Sequence, residues 1–342
     1  MKNKGRNIFL IISSFIFVSS LSFLFISRKN EAFASFMNEK LASPLKNGLL
    51  FLSNPVPFSL FEFLCFLLPA LFFLLIFFIF KRREKIIRAF LSVLSVFLLV
   101  FSLLINTLLI GYGVDIGFKV KDFGNDELTL SLSYLKDKVN SYDDASFPEL
   151  NELSFKLYSA YASLSLPETH VSYACPKVKV IKNKALASKL GILGSYSFLT
   201  SEININPAAP TYTLVFSVAH EMAHLFGISG EAEASFYAYL ASLETKDDAI
   251  AYSAALSALE YLLSEAYAQD RALFEKTYLL LSEKAKRDLR EYRDFYSENH
   301  AKISVYSEMA NGALLDFADA NGSKDYGDFT KLFVSYLTEE VL

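Results

Sequence analysis

The chain has 342 residues, of which 53% are hydrophobic and 20% charged, with 33 Phe and no Trp. Residues 1–112 hold 12 Lys and Arg against 4 Asp and Glu, whereas the remaining residues hold 21 against 33. A basic, apolar front followed by an acidic remainder indicates a membrane region and a water-facing domain, and it argues against nucleic acid as a partner because acidic domains repel phosphates. Cys65 and Cys175 are too few for a disulfide framework or a thiolate metal cluster.

Three apolar stretches near the N-terminus are each long enough to cross a bilayer as a helix. They cover about 8–27, 57–80 and 89–111. We therefore expect residues 1–112 to form a transmembrane region of three helical spans. The first stretch has a second interpretation as a cleavable signal peptide, because the Ala-Phe-Ala at 32–34 fits a small-x-small cleavage pattern, although its apolar core is long for one.

Basic residues cluster at two points around these spans. MKNKGRN precedes the first span, and KRREKIIR connects the second span to the third. Under the positive-inside rule both clusters lie in the cytoplasm. We therefore predict a multi-pass protein of the cell membrane, with the lipid bilayer as a partner, a cytoplasmic N-terminus and an extracytoplasmic domain over 113–342.

From residue 113 onward the apolar residues mostly follow the helical spacing i, i+3, i+4. The segments with this spacing are Glu127–Tyr142, Phe147–Ser163, Thr213–Phe226, Glu231–Leu243, Asp248–Ala268, Arg271–Asn299, Val305–Ala320 and Tyr326–Leu342. Lys177–Lys182 and Ser195–Asn206 alternate with the period of two that indicates strands. The sequence thus predicts one mainly α, α+β domain with a small β-sheet just before the helix that starts at Thr213.

Two of the four histidines, His220 and His224, lie in an otherwise apolar helical segment with Glu221 beside the first. At i and i+4 their side chains project from one face with Cβ atoms about 5–6 Å apart, which lets both imidazoles reach one zinc ion. Glu221 can accept a proton from an activated water, and this is the HExxH signature of zinc peptidases. Because the flanking residues are apolar, burial of these three polar groups without a metal would cost free energy.

A catalytic zinc site needs a third protein ligand. Gly227 can adopt a positive φ and end the helix, so that a second helix begins near Glu231. Glu231 lies on a face of small residues that can approach the first helix, whereas Glu233, as the N3 residue of its helix, can cap the helix start. We predict Glu231 as the ligand, with Glu233 as the alternative, and Ser235 as a group that orients a ligand imidazole.

Longer motifs carry a family resemblance. HEMAHLFGISGE resembles the HExxHxxGxxH arrangement of metzincins, and EAEASFYAYLA resembles the ExxA(D/N) third-ligand helix of gluzincin-type membrane proteases, with Ser235 where Asp or Asn is usual. A wider series, which begins upstream with G-x-Y and E-x-N-x-N, resembles a bacterial family of three-span membrane proteins with an extracytoplasmic, zincin-like HExxH domain. Its upstream residues here are Gly194, Tyr196, Glu202, Asn204 and Asn206. The resemblance implies a zincin-like fold and adds Tyr196, Glu202 and Asn204 as candidates for substrate contact or support of the site.

The motif and the resemblance together imply hydrolysis of peptide bonds in a peptide or protein substrate. Zn²⁺ would be held by His220, His224 and Glu231, and a zinc-activated water would give its proton to Glu221. The alternative is a non-catalytic zinc-binding sensor or accessory protein of the membrane, although a merely structural site needs no base.

Two further features bear on the predicted reaction. Peptidases of this kind usually have a group that stabilises the oxyanion, and the candidates here are Tyr196, Tyr237 and Tyr239. The alternating segment 195–206 could pair with an extended substrate by adding a strand, or it could be an ordinary strand of the sheet.

Overall fold

The fold is described from a computed structural model. The structure describes residues 2–81, 86–108, 121–142, 146–164, 166, 174–228, 230–299 and 326–341. The chain divides into two compact units, one formed by Met1–Gly113 with Ser197–Glu202 and the other by Val114–Tyr196 with Ile203–Leu342. Neither Cys65 nor Cys175 forms a disulfide bond within the part of the chain that the structure describes.

The first unit is built from helices. They are α1 (Lys2–Ser27), α2 (Glu31–Met37), α3 (Ser43–Ser53), α4 (Leu60–Lys81) and α5 (Ile86–Leu108). A π-helical turn over Asn38–Ala42 joins α2 to α3, and the backbone stays in the right-handed helical region through both junctions. Residues 31–53 therefore form one continuous helix, which the sequence analysis did not predict.

The helices α1, α4 and α5 coincide with the three predicted apolar stretches. Among the described residues, Ile8–Ser27 and Phe90–Thr107 are long and apolar enough to cross a membrane, and Leu60–Leu74 of α4 is a shorter apolar segment. Large apolar side chains point outward from these helices, as shown by Phe15 at 72% and Phe73 at 68% exposure. Such surfaces are rare on proteins surrounded by water. Residues 109–111 of the third predicted stretch lie outside the described residues.

Within the first unit, α1 packs along α5. The buried serines Ser13, Ser20 and Ser27 recur every seven residues on α1, and Ser95 and Ser102 do so on α5. The amide of Asn106 donates to the hydroxyl of Ser20 at 3.0 Å and so links the two helices. Small side chains at this spacing allow two helices to approach closely along their length.

The second unit contains nine helices and a small sheet within its described residues. The helices are α6 (Asn125–Ser141), α7 (Leu150–Ser163), α8 (Lys184–Lys189), α9 (Thr211–Leu225), α10 (Glu231–Glu244), α11 (Asp248–Gln269), α12 (Arg271–Leu279), α13 (Glu283–Asn299) and α14 (Tyr326–Tyr336). The strands are β1 (Lys179–Val180), β2 (Gly194–Ser197) and β3 (Glu202–Ile205), in the order β1-β3-β2. β1 runs parallel to β3, with Lys179 opposite Asn204.

Several predicted boundaries were wrong. The predicted strand Ser195–Asn206 is two strands, because Phe198–Ser201 forms a turn in which Ser201 adopts a φ of 53°. The predicted strand Lys177–Lys182 shortens to β1. The predicted helix Arg271–Asn299 is interrupted after Leu279, where the side chain of Asn140 accepts from the backbone N–H of Ser282 at 2.7 Å. The predicted helix Val305–Ala320 lies outside the described residues.

The helix α9 lies in the core of the second unit because it is apolar on nearly every face. It packs against α7, α10 and α11. Its backbone is held by two buried side chains: the Tyr161 hydroxyl donates to the carbonyl of Ala219 at 2.8 Å, and the Ser253 hydroxyl donates to the carbonyl of Tyr212. The HExxH residues therefore project from a helix that is fixed along its length.

Candidate metal centre

The end of α9 is shaped by Gly227. This residue has a φ of 94°, which glycine adopts without steric cost. The N–H of Ile228 donates to the carbonyl of Ala223, and the N–H of Gly227 donates to the carbonyl of His224, both at 3.0 Å. This is a Schellman turn, as the prediction of a positive φ at Gly227 implied. The turn reverses the chain so that α10 begins at Glu231.

Three side chains from α9 and α10 converge on one point, and we call these residues, His220, His224 and Glu231, the metal group. The Nε2 atom of His220 lies 3.0 Å from Oε2 of Glu231, and the Nε2 atom of His224 lies 3.8 Å from Oε1 of the same carboxylate. One ligand atom from each of the three residues lies within 4.8 Å of the others. Ligands at about 2.0–2.1 Å from a tetrahedral zinc ion are about 3.3 Å apart. The donor types are those that zinc prefers, and the two nitrogen–oxygen distances of 3.0 and 3.8 Å lie on either side of that spacing.

The second ring nitrogen of each histidine has its own partner. The Nδ1 atom of His224 lies 2.7 Å from the carbonyl oxygen of Ile228, and the Nδ1 atom of His220 lies 3.1 Å from the hydroxyl of Ser235. A carbonyl only accepts hydrogen bonds, so Nδ1 of His224 carries the proton and Nε2 is free to bind a metal. The Schellman turn and α10 thus fix the orientation of both imidazoles.

The structure separates the two candidate carboxylates. The Glu231 side chain is in the group with both histidines and is 40% exposed. The Glu233 carboxylate folds back over the start of α10, where a Cβ atom on Gly230 would overlap it. This is the position of a residue that caps its own helix, as predicted for Glu233.

Glu221 lies beside the group but is directed toward β2. It is 8% exposed, and burial raises the pKa of its carboxyl group, although the backbone N–H of Tyr196 donates to it. β2 can approach this closely because residue 194 is glycine: a Cβ atom there would lie 3.0 Å from Cγ and Oε1 of Glu221 and 3.3 Å from Cβ of Ser217. The glycine and the Tyr196 N–H therefore set the position of the carboxylate.

The charges of the group are strongly coupled. Burial disfavours protonation of His224, but the hydrogen bond and the charge of Glu231 outweigh it and raise the pKa of His224 to about 9. Burial also opposes ionisation of Glu231, yet the two imidazoles lower the pKa of this carboxyl group well below its usual value. The Glu231 carboxylate and the His224 imidazole thus stabilise each other's charged forms, and a divalent cation bound here would likewise favour an ionised Glu231.

The three candidate tyrosines have different surroundings. The ring of Tyr196 lies 6.4 Å from the ring of His224. Tyr237 is buried near Tyr161, and the ring of Tyr239 packs edge-on against Phe333 at 4.7 Å. Tyr196 therefore has a ring contact with a member of the metal group, whereas Tyr239, which lies on α10, packs against Phe333 of α14.

Asn204 and Glu202 each make hydrogen bonds with residues outside the metal group. The Asn204 amide is fully buried and donates to the carbonyl of Ser195 at 3.4 Å, which links β3 to β2. The Glu202 carboxylate accepts hydrogen bonds from the backbone N–H groups of Leu60 and Phe61 at 3.2 and 2.9 Å, and from the Thr200 hydroxyl at 2.9 Å. Glu202 thus satisfies the N-terminus of α4 within the first unit, as carboxylates at helix starts do.

Sequence reasoning missed the backbone groups of the site. The carbonyl of Ile228 and the N–H of Tyr196 have no side-chain signature. Gly194 was noted only as part of a family resemblance, and its reason is the close approach of β2 to Glu221. A glycine within a strand is a known signal of such an approach, but the strand predicted from the sequence began one residue after Gly194.

The comparisons with known proteins give a family but no activity. The chain belongs to the DUF3810 family, described as a protein of unknown function, which matches residues 38–334. No curated protein and no solved structure matches the chain.

Proposed function

We propose that this protein is a membrane-anchored, zinc-dependent metallopeptidase. The observation that carries the proposal is the convergence of the two Nε2 atoms on the Glu231 carboxylate, while a separate partner orients each Nδ1 atom. An ordinary buried ion pair does not require two imidazoles that are each oriented by a separate partner, whereas partners of this kind are typical behind the histidine ligands of a zinc site.

In this proposal His220, His224 and Glu231 hold the metal. A zinc ion bound there supplies a Lewis acid that polarises a carbonyl group and lowers the pKa of water. Glu221 accepts the proton of the attacking water and passes it to the leaving amine. The raised pKa of Glu221, caused by burial, is in the direction that makes a carboxylate a better proton acceptor.

β2 provides a place for the substrate backbone. It is an edge strand among the described strands, since the order is β1-β3-β2, and its Tyr196 N–H holds Glu221. An extended peptide that pairs with an edge strand receives main-chain hydrogen bonds at a fixed register. A peptide on β2 would pass the proposed base, so a peptide or protein is the substrate class that we propose.

The proposed localisation is a multi-pass membrane protein with α1, α4 and α5 as spans. The basic clusters at the start of α1 and between α4 and α5 then place the N-terminus in the cytoplasm and the second unit outside it. A periplasmic reporter such as alkaline phosphatase fused after Leu342 should be active. An active cytoplasmic reporter at the same position would contradict this sidedness.

A non-catalytic zinc protein is the second candidate. The observation in its favour is that His224 and Glu221 are each only 8% exposed, and closed sites are typical of structural zinc. The position of Glu221 against β2 favours catalysis, since a structural site has no use for a fixed carboxylate that is not a ligand.

Digestion of an unbiased peptide library tests the proposal. The purified full-length protein and its Glu221→Gln variant are compared, with bound zinc measured in both. We expect hydrolysis by the wild type and a loss of about 10²–10⁴-fold in the variant, with equal zinc. Equal zinc with no hydrolysis by either protein would favour the non-catalytic candidate.

A further inference from the structure

The helix α3 in the first unit has an inverted distribution of polarity. Its exposed side is formed by apolar side chains and glycine: Pro44, Gly48, Phe51 and Leu52. Phe51 is 76% and Leu52 is 68% exposed. Its buried side carries three polar residues, Ser43, Lys46 and Ser53, beside one apolar residue, Leu50. A helix on a water-soluble protein shows the opposite arrangement, with its apolar side packed inward.

The exposed surface of α3 also lacks charged side chains. Residues 43–59 contain one charged side chain, Lys46, and it is fully buried. The surface that α3 and the following loop present is therefore uncharged. Protein-binding surfaces in water usually have a polar rim around an apolar centre, and this surface has no charged rim of its own.

The exposed apolar surface continues into α4. Phe58, in the loop after α3, is 40% exposed, and its ring lies 6.3 Å from the ring of Phe63, which is 51% exposed. Phe63 lies in the first turns of the proposed second span. The apolar surface thus extends from α3 to a helix that we propose to be surrounded by lipid.

The π-helical turn fixes the level of this helix along the spans. Met37 and Ala42 pack in one cluster with Leu24 of α1 and Ile105 of α5. Leu24 lies three residues before the end of α1, which at about 1.5 Å per residue is about 5 Å along the axis, and Ile105 lies three residues before the last described residue of α5. The helix over residues 31–53 therefore meets α1 and α5 near the ends that follow their apolar stretches.

Charge, not length, argues against a further span, because the continuous helix over residues 31–53 is long enough to cross a bilayer. Its uncharged exposed part is confined to α3, whose 11 residues at 1.5 Å per residue cover about half of a hydrocarbon core of roughly 30 Å. The preceding turn exposes Glu39 and Lys40, whose charged groups pair with each other. An amphipathic helix with these properties lies in the membrane interface and does not cross it.

From these observations we propose that α3 is an interfacial helix, with Phe51 and Leu52 inserted among the lipid acyl chains at the outer ends of α1 and α5. The occupant of the exposed surface is the bilayer itself. The inference rests on the proposed insertion of α1 and α5 in the membrane, and it adds a membrane contact that hydropathy alone does not predict.

The absence of Trp from the sequence makes a direct test possible. Phe51→Trp, Leu52→Trp, Phe15→Trp and Lys40→Trp each introduce a single fluorophore into the full-length protein. Each variant is reconstituted in vesicles with and without phosphatidylcholine brominated on its acyl chains, and is also titrated with aqueous iodide. Phe15, on α1, reports on the proposed span, and Lys40 serves as the polar control.

We expect Phe51→Trp and Leu52→Trp to lose as much fluorescence to brominated lipid as Phe15→Trp does, and Lys40→Trp to be quenched mainly by iodide. If Phe15→Trp responds to brominated lipid but Phe51→Trp and Leu52→Trp respond only to iodide, the interfacial assignment is overturned and the spans stand. Shielding of both from lipid and iodide would show a protein occupant and overturn the assignment too. No lipid quenching of Phe15→Trp would overturn the span and the inference together.

Discussion

Both units bury polar side chains, but they satisfy them in different ways. In the first unit, the hydroxyls of Ser20, Ser95 and Ser102 donate to the carbonyl four residues earlier in the same helix, at 2.7–2.8 Å. In the second unit, side chains from α9 and α10 turn toward one another at the metal group. Burial of a polar group is therefore a poor sign of function, whereas convergence of several metal-ligating side chains from separate elements is a strong one.

The largest expected effect is on zinc affinity, and it distinguishes the roles of Glu231 and Glu233 in α10. Glu231→Ala removes a proposed ligand, so zinc affinity should fall by more than the roughly 10–100-fold that loss of a partner behind a ligand costs. Glu233→Ala should leave zinc bound and cost about 0.5–2 kcal/mol of stability through the lost cap. Isothermal titration with zinc and thermal unfolding measure the two effects. Loss of zinc in Glu233→Ala but not in Glu231→Ala would reverse the assignment.

The second prediction tests whether β2 positions the proposed base. In Gly194→Ala the added Cβ atom would lie 3.0 Å from Glu221, so the carboxylate must move by a fraction of an ångström and hydrolysis should fall about 10-fold, less than the roughly 10²-fold that a displacement of about 1 Å costs. Zinc affinity should stay unchanged because no ligand is touched. Gly48→Ala is the matched control, since a Cβ atom there meets nothing within 4 Å. Full activity in Gly194→Ala would show that the close approach is not required.

The third prediction concerns Glu260, whose carboxylate is largely buried and is not part of the metal group. Glu260 accepts a hydrogen bond from the Tyr212 hydroxyl at 3.1 Å, and burial raises the pKa of Glu260 to about 7. Because the folded pKa lies above the ordinary value of 4.5, the folded state holds its proton more tightly, and stability falls as the pH rises from about 4.5 to 7.

Replacement of this group should therefore stabilise the protein at high pH. Glu260→Gln should remove the loss of stability between pH 5 and pH 8, on the order of 2–3 kcal/mol. Thermal unfolding of both proteins in detergent at the two pH values measures it. A variant that keeps the same pH dependence as the wild type would assign the loss to other groups.

The smallest effect compares one serine from each unit. Ser235→Ala removes the partner of His220 Nδ1 and should weaken zinc binding about 10–100-fold. Ser102→Ala removes a hydroxyl that donates to the carbonyl of Leu98 within α5. This change should alter the stability by less than about 0.5 kcal/mol and should leave the zinc affinity unchanged. If both variants bind zinc with equal affinity, the contact between Ser235 and His220 does not contribute to metal binding.

The sequence predicted the parts of the structure that follow from side-chain pattern. The apolar stretches, most helices of the second unit and the spacing of His220 and His224 can be read from periodicity. The helix over residues 31–53 was missed because Pro44 and Gly48 lie within it, and these residues usually mark the end of a helical pattern in a sequence. The hairpin β2–β3 was read as one strand because alternation continues through the turn, which depends on the positive φ of Ser201.

The side chains of the candidate site were predicted from the sequence, but the backbone groups that contact them were not. His220, Glu221, His224 and Glu231 were identified from spacing and helix faces. The carbonyl of Ile228 and the N–H of Tyr196 were not, because any residue supplies such groups and only the fold brings them to the site. Glu202 was placed among the site candidates by resemblance, and its carboxylate instead accepts from the start of α4.

The zinc content of the purified full-length protein tests the proposed metal centre most directly. Elemental analysis after dialysis should find about one zinc per chain in the wild type and none in His224→Ala, since the remaining two ligands make an incomplete site. Circular dichroism should show that the variant keeps its helices. Full zinc occupancy in a folded His224→Ala protein, or no zinc in the wild type after zinc is supplied, would contradict the assignment.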